Sequence, residues 1–214
     1  MSHRLRLVED RLTAGAHCAG TLPRLNRVLY VAQGDVIVTS GRPETRVAAG
    51  GAWHGGAVCS VRAGDAGARV LRFELYPDPA PELNGGVLTL DHPIDLDPRA
   101  AWLMRCDRVD FAPGGEAPLH RHRGGGIRCL LRGTLRVESA GEVNEIGPGG
   151  AWFESGPDPV LATASSTELT GFARVMILPR ELKGKSSIRY VKAEDGDKPK
   201  TQRYQVFADE PIAP

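Results

Sequence analysis

The chain has 214 residues and a formal net charge of +1, so it carries no electrostatic footprint for nucleic acid or an anionic membrane surface. Charged residues are spread along its length, and its apolar runs stay short of the roughly 18 residues that a membrane helix needs. The four cysteines, Cys18, Cys59, Cys106 and Cys129, form no CxxC pair and match no zinc or disulfide framework; buried thiols in a reducing, cytoplasmic setting are expected.

The opening "MSHRLRLVEDRL" has no apolar core, so no secretory leader is expected. The next strong signal is "RVLYVAQGDVIVTS", a β-branched run broken by Gly34. A closing strand, "ARVLRFEL", follows the turns "SGRPE", "AGG" and "AGDAG". The segment "YPDPAPELNGGVLTLDHPIDLDPR" is rich in Pro, Asp and Gly and reads as a connector, with "GVLTL" as a short strand. "AWLMRCDRVDF" opens a second set, continued by "IRCLLRGTLRVES" and "FARVMIL". No stretch shows a long capped helical period. After the last strand comes a tail that holds every lysine of the chain; its apolar residues, Ile188, Tyr190, Val191, Tyr204, Val206 and Phe207, predict packing on a barrel or on a partner subunit.

The two sets repeat each other. At an offset of 99, Gly15, Gly34, Gly50 and Gly51 fall on Gly114, Gly133, Gly149 and Gly150, and "GGAW" falls on "GGAW". The tripeptide "ARV" at Ala68–Val70 meets "ARV" at Ala173–Val175 at an offset of 105, which predicts about six extra residues in the second copy. Short strands in two copies predict two small barrels or jelly rolls. The expected domains are 1–76, a connector at 77–100, a second barrel at 101–179 and a tail at 180–214.

The second copy contains "GGEAPLHRHRGGGIRCLLRG", in which His120 and His122 share one strand face and point into the barrel. Gly114, five residues and His-x-His are the start of the first cupin motif, and the whole chain resembles a bicupin, an all-β protein of two tandem cupin-like jelly-roll barrels. The resemblance implies a metal held by two His, a Glu and a third His. In this chain Gly126 stands at the Glu position, Leu161 at the third His and Ser165 at the Asn of the second motif. Two imidazoles hold a metal loosely unless other side chains join. The substitutes are Glu116, four residues before His120, and Glu154, after the second "GGAW".

Arg128 shares the parity of Gly126 and points inward, where it needs a negative partner: Glu116, Glu154 or the carboxylate of a ligand. Arg105 and Arg174 are further candidates. In the first copy Thr21, Pro23 and Arg27 occupy the His, His and Glu positions, and no metal is expected there. Two functions follow. The first is a bicupin whose second barrel binds a small, anionic molecule through His120, His122, Arg128 and Glu154, with no metal or a weakly held one. The alternative is a metal-dependent cupin enzyme of the dioxygenase, decarboxylase or isomerase type, in which His120, His122 and Glu116 hold Zn, Fe, Ni or Mn. A homodimer is expected, with no nucleic-acid or membrane partner.

Overall fold

The structure, a computed structural model, describes residues 2–18, 20–41 and 43–214. The chain is all-β and divides into two units: residues 2–101 with 212–214, and Trp102–Pro211.

The first unit contains β1 (His3–Leu12), β2 (Asn26–Thr39), β3 (Thr45–Ala48), β4 (Ala52–Gly55), β5 (Ser60–Pro77) and β6 (Val87–Ile94). Its sheet runs β3-β2-β5-β1-β6, and β4 pairs with β2. The segment read as a connector therefore supplies a strand, β6, which pairs antiparallel with β1. Alternation along β2 and β5 buries Leu29, Val31, Val36, Val38, Val61 and Val70 in one apolar cluster. Beside it lies a charged interior. Arg27 and Arg72 donate to the same oxygen of Glu74, Arg6 takes the other, and Arg72 also binds Asp10 bidentately.

The second unit contains β7 (Trp102–Phe111), β8 (Glu116–His122), β9 (Gly126–Arg132), β10 (Leu135–Ser139), β11 (Glu142–Ile146), β12 (Ala151–Glu154), β13 (Val160–Ala164), β14 (Thr170–Pro179), β15 (Ile188–Tyr190) and β16 (Gln202–Ile212). They form two five-stranded sheets, β11-β10-β13-β8-β15 and β12-β9-β14-β7-β16. β14 lies inside its sheet and is buried from Thr170 to Leu178, which is why it reads as a continuous apolar run. The tail through Pro211 is part of this unit: β15 pairs with β8 and β16 with β7. The apolar core gathers Val109, Phe111, Leu130, Leu135, Val160, Ala162 and Phe172.

Local geometry recurs at the offset of 99. Val31 N–H donates to Gly51, Gly50 N–H to Val31 and Gly51 N–H to Ala48; Leu130, Gly150, Gly149 and Gly147 make the same three bonds. Gly50 and Gly149 hold φ of 79° and 86°, a conformation glycine adopts without a side-chain clash. The closing strands do not keep the offset of the "ARV" match. Leu29 pairs with Arg72 and Arg128 with Arg174, so β5 and β14 correspond at 102, three extra residues rather than six.

Candidate functional site

Strand alternation in the second unit sends Asp107 of β7, His120 and His122 of β8, Arg128 of β9 and Arg174 of β14 inward, where all five are buried. Glu154, the last residue of β12, joins them. Its Cα lies opposite Gly126, the position where the resemblance implies a glutamate. The carboxylate is thus present, carried by the neighbouring strand. Gly126 itself cannot carry a side chain without movement of the backbone, because a Cβ there would meet the Val175 carbonyl oxygen at 2.2 Å and Met176 Cα at 2.8 Å.

The two imidazoles meet edge to face, with Nε2 atoms 3.2 Å apart. His120 Nδ1 lies 2.8 Å from the Pro118 carbonyl, which can only accept, so Nδ1 carries the proton and Nε2 presents a lone pair. His122 Nδ1 lies 3.1 Å from Ser187 Oγ. With both rings neutral, the hydroxyl donates to His122 Nδ1, and His122 Nε2–H donates to His120 Nε2. A cation between the rings would reverse this order: His122 Nδ1 would donate to the hydroxyl and both Nε2 lone pairs would converge.

Burial holds the His120 pKa below the ordinary imidazole value, against the pull of the Pro118 bond and of Glu154. His122 is pushed further down, by burial and then by the positive charges of Arg174 and Arg128. Both rings are neutral at pH 7.

Glu154 bridges the site. Its Oε1 accepts from Trp152 Nε1 at 2.8 Å. Its Oε2 lies 2.6 Å from Arg128 Nη2 and 3.7 Å from His122 Nε2. The Arg128 contact is an ion pair without hydrogen-bond alignment, so this buried oxygen accepts no hydrogen bond. Arg128 donates through Nη1 to the Gly126 carbonyl. Burial lowers its pKa to about 10, although Glu154 opposes the shift. Arg174 is held bidentately by Asp107 at 2.6 and 3.0 Å.

His120, His122, Glu154 and Arg174 border an inner cavity of about 20 Å³, room for one water molecule or ion. A larger pocket of about 470 Å³ shares Arg174, Ile188 and Tyr204 with it. The tail builds one side of this pocket through Gly184–Ile188, Tyr190, Lys200, Tyr204, Val206 and Asp209. Arg105 pins the tail there, bidentate to Asp209 at 2.9 and 3.1 Å and donating to the Leu182 and Lys185 carbonyls. A third pocket, of about 450 Å³, shares Trp152 and Glu154 with the inner cavity and lies along β10, β11 and β12.

His120, His122, Arg128 and Glu154 are brought together. Glu116 is not: it is exposed at the start of β8, with its backbone bonded to Thr201 and Gln202. Arg128 is paired with Glu154 and lines neither the inner cavity nor the large pocket. Leu161 is displaced by one residue from the expected role. Val160 and Ala162 face the core on either side of it, as alternation along β13 requires. Sequence reasoning missed Ser187, Asp107 and Asp209. Asp107 had a readable signal, since it shares the parity of Leu103, Arg105, Val109 and Phe111 on β7; Ser187 and Asp209 had none. Among the described residues, no group of three or more His, Cys, Asp or Glu side chains meets the geometry of a metal site.

No family model and no curated protein matches the sequence. The structure is similar to oxalate decarboxylase from Lactobacillus farciminis, solved as a formate complex, with a TM-score of 0.68 and 15% identity over 92% of this chain and 82% of that one. It is also similar to oxalate decarboxylase OxdC from Bacillus subtilis at pH 4.6 (TM-score 0.61, 14% identity, 85% of this chain and 72% of that one). A third similar structure is AerE from Microcystis aeruginosa (TM-score 0.58, 13% identity, 82% of this chain and 87% of that one). The chain has the cupin fold. At these identities the likeness establishes architecture, and the chemistry of a cupin rests on its own site.

Proposed function

We propose that the chain is a bicupin whose second unit binds a small organic acid. One observation carries the reading: the pocket of about 470 Å³ adjoins, through Arg174, Ile188 and Tyr204, the cavity of the two neutral histidines. Its lining favours an anion. Arg105 and Arg174 are matched by Asp209 and Asp107, which leaves the charges of Lys185 and Lys200 without acidic counterparts in the lining. Inside, His122 Nε2–H and the Ser187 hydroxyl are donors that a ligand can recruit. In the first unit Arg6, Arg27 and Arg72 with Asp10 and Glu74 fill the corresponding interior among the described residues. The recurrence of Arg6 and Arg72 as Arg105 and Arg174 at the same register positions supports descent of both units from one duplicated barrel.

A specific observation favours a metal enzyme as the second reading. Glu154 has taken the place opposite Gly126, and its unbonded Oε2 and the two Nε2 atoms form a two-His, one-carboxylate donor set. The spacing of 3.2 Å between the Nε2 atoms fits two ligands of one ion, while Arg128 competes for the same carboxylate oxygen. His120, His122 and Glu154 would hold the ion, which would supply Lewis-acid or redox chemistry. Pro118 and Ser187 would fix the rings.

Both readings are open to measurement. Small carboxylates should raise the melting temperature of the wild type, and the Lys185→Ala/Lys200→Ala variant should lose most of that rise. No rise with any acid, or an equal rise in the variant, overturns acid binding. Protein grown with added Fe, Mn, Ni, Cu and Zn is then analysed by mass spectrometry. Near one ion per chain, lost in His120→Ala, supports the metal reading; content far below one ion per chain, or unchanged in the variant, overturns it.

A further inference from the structure

The pocket under the tail offers more than charge. It lies between β15 and β16, which end the two sheets of the second unit. Ile188 and Tyr190 of β15 line it, and so do Tyr204 and Val206 of β16. Alternation along β16 sets Gln202, Tyr204, Val206 and Ala208 on one face. Gln202 and Ala208 are buried, whereas Tyr204 is 43% and Val206 55% exposed. That face is therefore covered at both ends and open between them, at the pocket. An apolar wall left bare in the middle of a packed face is surface that a ligand can bury.

The cationic group beside this wall is held in place. Lys200 Nζ lies 4.2 Å from the centre of the Tyr190 ring and donates to the carbonyls of Gly196 at 3.0 Å and Asp195 at 3.4 Å. An ammonium group has three N–H donors, so one remains for a ligand oxygen. These contacts fix the charge in the free protein, which lowers the cost of ordering it on binding. A volume of about 470 Å³, with aromatic and aliphatic walls and few polar groups, suits a ligand larger than a short-chain acid. A short-chain acid would reach Lys200 and leave Tyr204 and Val206 in water. A tyrosine on each strand favours a ring in the ligand, since offset and edge-to-face contacts add to burial.

We infer that the ligand of this pocket is an aromatic acid, with its carboxylate at Lys200 and its ring against Ile188, Tyr204 and Val206. The inference rests on acid binding at this pocket and adds the apolar body that the acid carries. Lys200 then selects the charge, and Tyr204 and Val206 select the body.

The test uses the full chain and three probes, phenylpropionate, propionate and phenylpropanol, with binding read by calorimetry. Phenylpropionate should bind about tenfold or more tightly than propionate, the gain expected from partial burial of a phenyl group. It should bind about fivefold or more tightly than phenylpropanol, the gain expected from a hydrogen bond between charged groups over one to a neutral hydroxyl. Val206→Ser, a change at an exposed position that leaves folding intact, should cut the first ratio about threefold and leave the second unchanged. Lys200→Gln should narrow the second ratio to about twofold or less and leave the first unchanged. Equal affinity for phenylpropionate and propionate, or an unchanged first ratio in Val206→Ser, overturns the aromatic body and leaves acid binding standing. Equal affinity for phenylpropionate and phenylpropanol overturns acid binding, and the inference with it; no binding of any probe overturns both.

Discussion

Replacing Glu154 by Gln keeps the side chain's shape and removes its charge, leaving Arg128 alone in the interior. Arg128 is 1% exposed and Glu154 9%, and their closest charged atoms are 2.6 Å apart. At an effective dielectric of about 20, that separation corresponds to roughly 6 kcal/mol of gross attraction. Part of this only offsets the desolvation of both ions, so the net loss on removing one partner of a buried pair is about 3–5 kcal/mol. The amide oxygen of Gln can still accept one N–H, which puts Glu154→Gln at the lower end, about 3 kcal/mol. Urea unfolding followed by circular dichroism at pH 7.5 measures it, and the melting temperature should fall by roughly 6–12 °C. The variant Arg128→Met leaves Glu154 unpaired and should cost a similar amount. The double variant removes both charges and should recover to within about 1–2 kcal/mol of the wild type, a coupling of at least about 2 kcal/mol. A Glu154→Gln protein within about 0.5 kcal/mol of the wild type, or a double variant whose losses simply add, would refute this account of the pair.

Gly126→Ala should destabilise by about 2–3 kcal/mol in the same assay, since the new Cβ meets backbone rather than a flexible side chain; unchanged stability would mean that β9 and β14 separate freely. Stability should also fall as pH drops from about 6.5 towards 5. His120 and His122 have lowered pKa values when folded, so below 6.5 the unfolded chain binds protons that the folded chain does not, and stability falls by up to about 2.7 kcal/mol per pH unit for two such groups. Urea midpoints at pH 7 and pH 5 check this, and His122→Gln should show about half the slope; equal midpoints for the wild type would place protons on the buried rings.

What the sequence revealed was local. The parity of His120 and His122 follows from strand geometry, and the glycines that frame them mark turns, so both could be read without a structure. Arg128 was assigned inward by the same parity. The choice between Glu116 and Glu154 was not local. It depends on the pairing of β12 with β9, which sets Glu154 opposite Gly126, and no pattern within either strand encodes that register. The one-residue error at Leu161 has a related cause: counting along a motif does not say which parity of β13 faces the core, and that face holds Val160 and Ala162. Ser187 and Asp209 come from a tail whose strands join the sheets far from their sequence neighbours. The "ARV" match misled because a tripeptide is too short to outweigh the strand register.

The two units show how little separates a filled interior from a cavity. Arg27 in the first unit and Gly126 in the second occupy positions at the common offset of 99, each on the strand paired with the closing strand of its own unit. Arg27 is fully buried; it binds Glu74 across the pair and reaches the Pro23 carbonyl and Cys59 sulfur, so its side chain fills that interior. At Gly126 there is no side chain; the buried arginine of this strand is Arg128, two residues on, and its carboxylate partner Glu154 lies on β12 rather than on the closing strand. Arg128 does not line the cavity of about 20 Å³ that His120 and His122 border. A cupin interior satisfied by its own arginine and glutamate needs no ligand. One in which a glycine stands at the position of that arginine and two neutral imidazoles border a small cavity keeps room for a partner.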